Sequence, residues 1–223
     1  MALDVASLEA ALDLVDRLAD AVRWYKVGPV LHVGHGPAVV RALRDRGRDV
    51  FLDLKWHDIP NTVAGAVAAA ADLGVALATV HLAGGPRMLE AAARARAARL
   101  RLVGVGVLTS LGPADLGAVL GRPVADLADE QRRLVRLGIA AGLDGYVAAA
   151  AEARAVRALA GGAASIVVPG IRRASDAAAD QVRTATPREA VDAGADYLVV
   201  GRPVARAADP RAEALALEAE MRR

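Results

Sequence analysis

The stretch FLDLKWHDIPNTV, Phe51 to Val63, sets an apolar run directly against a cluster of charge. Lys55 stands between Asp53 and Asp58, in a chain that otherwise avoids lysine. Of 28 Lys plus Arg residues, only Lys26 and Lys55 are lysine. Guanidinium is a planar fork that stays charged, whereas ammonium is a compact point charge able to give up a proton. Chance survival or a salt-bridge preference is one explanation of the two lysines. Chemistry that needs a proton donor is the sharper one.

Working outward from this stretch gives the fold. Its run follows a helix-like segment and a glycine, in RDRGRDVFLDLK (44–55), and the same phrase returns in ADLGVALATVHL (71–82), GIAAGLDGYVAA (138–149) and DAGADYLVVG (192–201). Glycine just past a helix suits the left-handed position that ends helices. The apolar runs are short and rich in Val, Leu and Ile, as strands buried on both faces should be. Strands are predicted at Ala2–Asp4, Tyr25–Val27, Val50–Leu54, Ala78–His81, Leu102–Leu108, Gly145–Ala148, Ser165–Val168 and Tyr197–Val200. Ser7 is placed to cap the segment LEAALDLVDRLAD, and Pro37, Pro187 and Pro210 stand where a first helical residue would, the last two after Thr186 and Asp209. Eight strands alternating with eight helices favour one parallel unit over 1–223, closed as a (β/α)8 TIM barrel. An open doubly wound sheet is the competing arrangement. The longest irregular connection, SLGPADLGAVLGRPVADLA (110–128), reads as an elaborated loop with short helices after the fifth strand.

Composition narrows the function classes. The 223 residues are 55% hydrophobic and only 3% aromatic, which implies close packing of small side chains. A formal net charge of +2 with both signs interspersed leaves no nucleic-acid footprint. The absence of cysteine excludes thiolate chemistry and disulfides. The start MALDVASLEA lacks the form of a signal peptide, and the run AGAVAAAA stops at Asp72, too soon to span a bilayer, so a soluble cytoplasmic protein is expected.

In such barrels the chemistry sits at the C-terminal ends of strands. Asp4, Lys26, Asp53, Lys55, His81, Thr109, Ser110, Arg172 and Arg202 all follow apolar runs and precede turns. Asp53 and Lys55 are two apart on one strand, so both side chains share a face. If Leu52 and Leu54 face the helices, the charged pair faces the barrel axis, and Lys26 on a neighbouring strand reaches the same mouth. A purely structural ion-pair network is the competing reading, but burying several charges is costly for stability alone. A second constellation, VVPGIR with Arg172 and YLVVGRP with Gly201 and Arg202, has the placement of a phosphate site after strands seven and eight, with Gln181 as a neutral partner. His32 and His35 read as a Gly-rich turn without carboxylates, a setting that argues against metal binding. His81 reads as a hydrogen-bonded supporting group, His57 as structural, and Trp24 and Trp56 as packing near the mouth.

Together ALD, YKVG, FLDLKWHDIPNTV, VHLAGG, VLTS, VPGIR, DQVRTATP and DYLVVGRP resemble the orotidine 5′-phosphate decarboxylase family in its bacterial form, across essentially the whole chain and in the family's order. The resemblance implies a (β/α)8 homodimer converting orotidine 5′-phosphate to UMP and CO2 without metal or organic cofactor. Lys55 would then be the proton donor to C6, Asp53 would lie beside the departing carboxylate, and Lys26 would hold the charge network and contact ribose. Asp58 and Thr62 would reach the partner subunit's site. Asp4 would bind ribose hydroxyls, Thr109 and Ser110 would lie at the base, Ile59 and Pro169 would line the substrate, and Arg172, Gln181, Gly201 and Arg202 would hold the phosphate. The short lead before Asp4 implies a short first strand, and Trp56 stands where the family has a smaller apolar or phenyl group. Two other functions share parts of this pattern. One is a sugar-phosphate enzyme of the same superfamily working through a metal-bound enediolate; the other is a phosphate-ligand sensor on a barrel scaffold.

Overall fold

The computed structural model describes residues 1–173 and 184–222. Seven parallel strands form one sheet in chain order: β1 (Trp24–Val27), β2 (Asp49–Trp56), β3 (Leu77–His81), β4 (Arg101–Val105), β5 (Gly145–Val147), β6 (Ser165–Val168) and β7 (Tyr197–Leu198). Strictly sequential order excludes the doubly wound sheet, whose strand order reverses at a switch point. The eighth stave is the N-terminal segment. Ala2 N–H donates to the Val200 carbonyl at 2.7 Å, Leu3 N–H donates to Lys26 O at 2.9 Å, and Lys26 N–H donates to Met1 O at 2.8 Å. This segment links the first strand to the last, so the architecture is the (β/α)8 barrel. The predicted first strand, Ala2–Asp4, is reduced to a bridge at Ala2–Lys26.

Two apolar layers follow from the strand alternation. Leu52, Ala78, Leu102, Tyr146, Ile166 and Val168 are buried in the large core under the helices. Phe51, Leu77, Val103 and Val167 form a separate lumen cluster, joined by Trp24, Val147, Tyr197 and Val199. Trp24 therefore packs at the floor, edge-on to Tyr197 with centroids 5.1 Å apart, and not at the mouth as its sequence context suggests. It begins β1, and only the C-terminal strand ends reach the mouth.

The turn chemistry read from the sequence holds. Gly47, Gly74, Gly142 and Gly194 have φ of 69°, 74°, 77° and 96°, a region closed to most L-residues. Ser7 Oγ accepts from Ala10 N–H at 3.1 Å and caps α1 (Leu8–Leu18). Pro37, Pro187 and Pro210 open α3 (Pro37–Asp45), α9 (Pro187–Asp192) and α11 (Pro210–Met221). The long connection after β4 holds the extra helix α6 (Pro113–Leu120) before α7 (Leu127–Ala140). The strict eight-helix expectation is exceeded, because α2 (Pro29–His35) precedes α3 after β1, and α10 (Arg202–Ala205) precedes α11. His32 and His35 lie on α2, not in a turn, and His35 Nε2 accepts from Leu8 N–H at 3.1 Å, docking the start of α1. The remaining helices are α4 (Pro60–Asp72), α5 (Gly85–Ala95) and α8 (Ala150–Ala160). Among the described residues no helix is long and apolar enough to cross a membrane.

Candidate active site

A cavity of about 630 Å³ opens at the C-terminal ends of the strands. It is lined by Asp4, Lys26, Asp53, Lys55, Thr109, Pro169, Arg172, Gly201 and Arg202, all of them expected from the sequence. Four of these form a chain of alternating charge. Lys26 Nζ stands 3.3 Å from Asp4 Oδ1 and 3.5 Å from Asp53 Oδ2. Lys55 Nζ donates to Asp53 Oδ1 at 2.8 Å. The Lys26 and Asp53 side chains retain only 14% and 13% of their exposure, so the centre of this network sits largely out of water, while Lys55 and Asp4 at its ends stay open to the cavity and solvent at 37% and 62%. Removing one member of a buried pair typically costs about 3–5 kcal/mol, because the other charge is left uncompensated.

Strand alternation alone does not deliver Lys55 to the cavity. Phe51 pairs with Leu77 and Leu52 with Ala78, but the next partner is Trp56 with Val80. Four steps along β2 thus match two along β3, and within this bulge Lys55 takes φ 51°. Left-handed backbone at a residue other than glycine costs on the order of 1–3 kcal/mol and persists only where surrounding contacts enforce it. Thr79, fully buried on β3, is one such contact. Its Oγ1 accepts the Lys55 backbone N–H at 2.8 Å and donates to Asp53 Oδ1 at 3.1 Å. Sequence reading missed Thr79, which looks like one more β-branched strand residue. Its position between the apolar residues Ala78 and Val80, facing the same side as the lumen residue Leu77, was the available signal.

The opposite wall is braced from behind. Gln131 on α7 is buried, accepts Val107 N–H at 2.8 Å and donates to the Val147 carbonyl at 3.1 Å. Val107 and Val147 both line the cavity. Gly106 makes room for this brace, since a Cβ there would stand 2.2 Å from Gln131 Oε1. Capture of Val107 by Gln131 also explains why the predicted strand Leu102–Leu108 ends early, at Val105.

At the far side of the ring of strands, Arg172 donates through Nη1 to Ile171 O at 2.8 Å and its backbone N–H donates to Ala185 O at 2.9 Å. Gly201 precedes α10, which begins at Arg202. Arg206, also lining the cavity, was not singled out in the sequence. Gln181 lies outside the described residues. Ser110 adjoins Thr109 but does not line the cavity, and neither do Asp58, Ile59 and Thr62. Asp58 Oδ1 caps its own loop by accepting Ile59 N–H at 2.6 Å, and Ile59 is 67% exposed. Behind Lys55, the His57 and His81 rings stack at 5.2 Å and 13°. His81 Nδ1 accepts Ala83 N–H at 3.2 Å. Burial, then the neighbouring His57 ring and the Lys55 ammonium, push the His81 imidazole below its ordinary value.

A parallel barrel with a polar cavity at its strand ends, holding a partly desolvated lysine–aspartate network and arginines just past neighbouring strands, has the build of a barrel enzyme acting on an anionic substrate. Residues 1–217 match the model of the "Orotidine 5′-phosphate decarboxylase / HUMPS family", and the chain belongs to that family. A relative from Anaeromyxobacter sp. (strain K), named orotidine 5′-phosphate decarboxylase, is 50% identical over 220 residues, covering 98% of this chain and 95% of that one. One of the same name from Pseudomonas putida (strain GB-1) is 47% identical over 226 residues, covering 100% and 96%. The crystal structure of orotidine 5′-phosphate decarboxylase from Lactobacillus acidophilus superposes with a TM-score of 0.88 at 31% identity, covering 100% of this chain and 97% of that one.

Proposed function

We propose that this chain, as one catalytic barrel over 1–223, decarboxylates orotidine 5′-phosphate to UMP and CO2, the last step of de novo pyrimidine nucleotide synthesis, in the cytoplasm and without metal or organic cofactor. The observation that carries this reading is the Asp4–Lys26–Asp53–Lys55 chain in a cavity also lined by Arg172 and Arg202. The bond from C6 to the carboxylate breaks, CO2 leaves, and the electron pair stays on C6. No conjugated sink accepts that pair, so an ammonium beside C6 stabilises it and then transfers its proton there. Lys55 fills that role, and solvent returns a proton to the amine. Asp53 stands beside the departing carboxylate and holds the Lys55 ammonium. Lys26 and Asp4 engage ribose, Thr109 and Ser110 the base, and Ile59 and Pro169 line the substrate. Arg172, Gln181, Gly201 and Arg202 hold the phosphate, whose binding energy helps order the site. The two names in the family description leave the sugar-phosphate alternative to be weighed, and the relatives cited above all carry the decarboxylase name. Loss of the ultraviolet absorbance of orotidine 5′-phosphate on adding the protein, undiminished by a chelator, is the expected result. Absence of turnover, or turnover only with magnesium, would overturn the reading.

We place Asp58 and Thr62 in the site of the partner subunit of a homodimer. Support comes from their exposure outside the cavity of their own chain, next to the exposed Ile59. Asp58→Ala and Lys55→Ala chains should each be inactive alone and regain partial activity when mixed, since a heterodimer has one intact site. Mixtures that form heterodimers yet stay inactive would assign Asp58 to its own chain.

A further inference from the structure

We propose that Thr79 is a positioning residue for the decarboxylation, its hydroxyl setting both the carboxylate plane of Asp53 and the backbone that aims Lys55. The inference rests on the function proposed above and adds a residue to which that proposal assigns no role. A hydroxyl has one proton and two acceptor lone pairs. The Lys55 N–H occupies an acceptor site of Thr79 Oγ1 at 2.8 Å, so the hydroxyl proton is available for Asp53 Oδ1 at 3.1 Å. Oδ1 then receives both Thr79 and the Lys55 ammonium, while Oδ2 faces Lys26. Two hydrogen bonds and one ion pair, from side chains on three strands, fix the plane of one carboxylate.

The backbone half of the device comes from the bulge. The register break between Leu52 and Trp56 takes Lys55 out of the regular β2–β3 ladder, so its N–H is served by a side chain in place of a strand carbonyl. A buried N–H without an acceptor is costly, and here it would add to the strain of φ 51°. One hydroxyl thus stabilises the turn that points the ammonium into the cavity and orients the carboxylate the ammonium meets there. Because Thr79 has no exposed surface and does not line the cavity, it acts through Asp53 and Lys55 and not on substrate.

Thr79→Val keeps the shape and removes the hydroxyl, whereas Thr79→Ser keeps the hydroxyl. Misplacing reacting groups by about 1 Å costs on the order of 100-fold. Thr79→Val is therefore expected to lower kcat at saturating orotidine 5′-phosphate about 10- to 100-fold. The same variant should keep KM and UMP affinity near wild type, and Thr79→Ser should retain most of the wild-type kcat. A second readout is independent of turnover. The chain has only two lysines, so selectively labelled lysine gives two resolvable side-chain signals. The 13Cε and 15Nζ shifts of Lys55 should move in Thr79→Val and return in Thr79→Ser, with Lys26 changing less. Folded Thr79→Val with wild-type kcat and unmoved Lys55 signals would overturn the proposal, as would a Thr79→Ser variant as impaired as Thr79→Val. If Thr79→Val does not fold, the serine variant and its Lys55 signals decide. An inert wild-type protein would sink the proposed function, while the lysine shifts would still report whether Thr79 positions Lys55.

Discussion

Along β2, Asp49–Leu52 pairs regularly with β1 on one side and, through Phe51 and Leu52, with β3 on the other, whereas the stretch that follows slips against β3 and carries Lys55 at φ 51°. The first half belongs to the floor of the barrel, where Phe51 joins Leu77, Val103 and Val167. The second half belongs to the mouth, where Asp53 and Lys55 join Lys26 and Asp4. A charged group among the floor strands, Arg101, also differs in kind from those at the mouth. Arg101 donates to the Ser165 hydroxyl and, at 3.3 Å, to the Tyr197 hydroxyl, both neutral groups. Regular backbone with mainly apolar or neutral partners, its Arg23–Asp49 ion pair lying at the solvent edge, makes the floor a stability element. Strained backbone with the partly desolvated charges around Lys26 and Asp53 makes the mouth a costly arrangement that function must account for.

The largest effect should come from the mouth. Lys55→Arg preserves a positive charge but substitutes a bulkier group that is effectively never deprotonated in proteins. Decarboxylation should fall by at least the roughly 10²- to 10⁴-fold typical of a general acid, with the protein still folded and binding UMP weakly. Substantial residual activity in steady-state assays would show that charge alone suffices and that Lys55 is not the donor.

Leu77→Ala tests the floor, one step below the site. Truncating a buried leucine costs about 2–5 kcal/mol, and urea denaturation should register that loss while kcat of the folded protein stays near wild type. A collapse of kcat with little loss of stability would erase the distinction between the two halves of the barrel.

Smaller still is the pH effect expected at His81. Burial, His57 and Lys55 lower its folded-state pKa from the ordinary 6.5. Neutral His81 is the favoured form, so this contribution to stability is fully present above the ordinary value and is lost as pH falls through the lowered one. Asn retains an acceptor for Ala83 N–H and does not titrate. His81→Asn should flatten the acid side of a plot of melting temperature against pH, and an unchanged acid limb would clear His81 of that role. The near-zero reference is Arg23→Lys. The Arg23 pair with Asp49 is 2.5 Å long but its side chain is 76% exposed, so stability should stay within about 0.5 kcal/mol of wild type and activity should not move.

Local rules were enough for the sequence to determine the repeating phrase, the barrel and most of the polar side chains of the cavity. Helix-ending glycines at 47, 74, 142 and 194, first-turn prolines at 37, 187 and 210, and polar residues in phase with strand ends are each read within a few neighbours. The scarcity of lysine pointed to Lys26 and Lys55 with no tertiary information at all. The tertiary structure alone decided how those groups meet. The slip of β2 against β3, the left-handed backbone of Lys55 and the hydroxyl of Thr79 beneath it depend on residues 24 positions apart, and so does the brace that Gln131 gives Val107. Likewise, Trp24 lies at the floor and Met1–Leu3 closes the barrel only because β1 and Val200 lie beside them in space. Backbone propensity and alternation are properties of a short window of chain, whereas satisfaction of a buried N–H or carboxylate is a property of whatever the fold brings into contact with it.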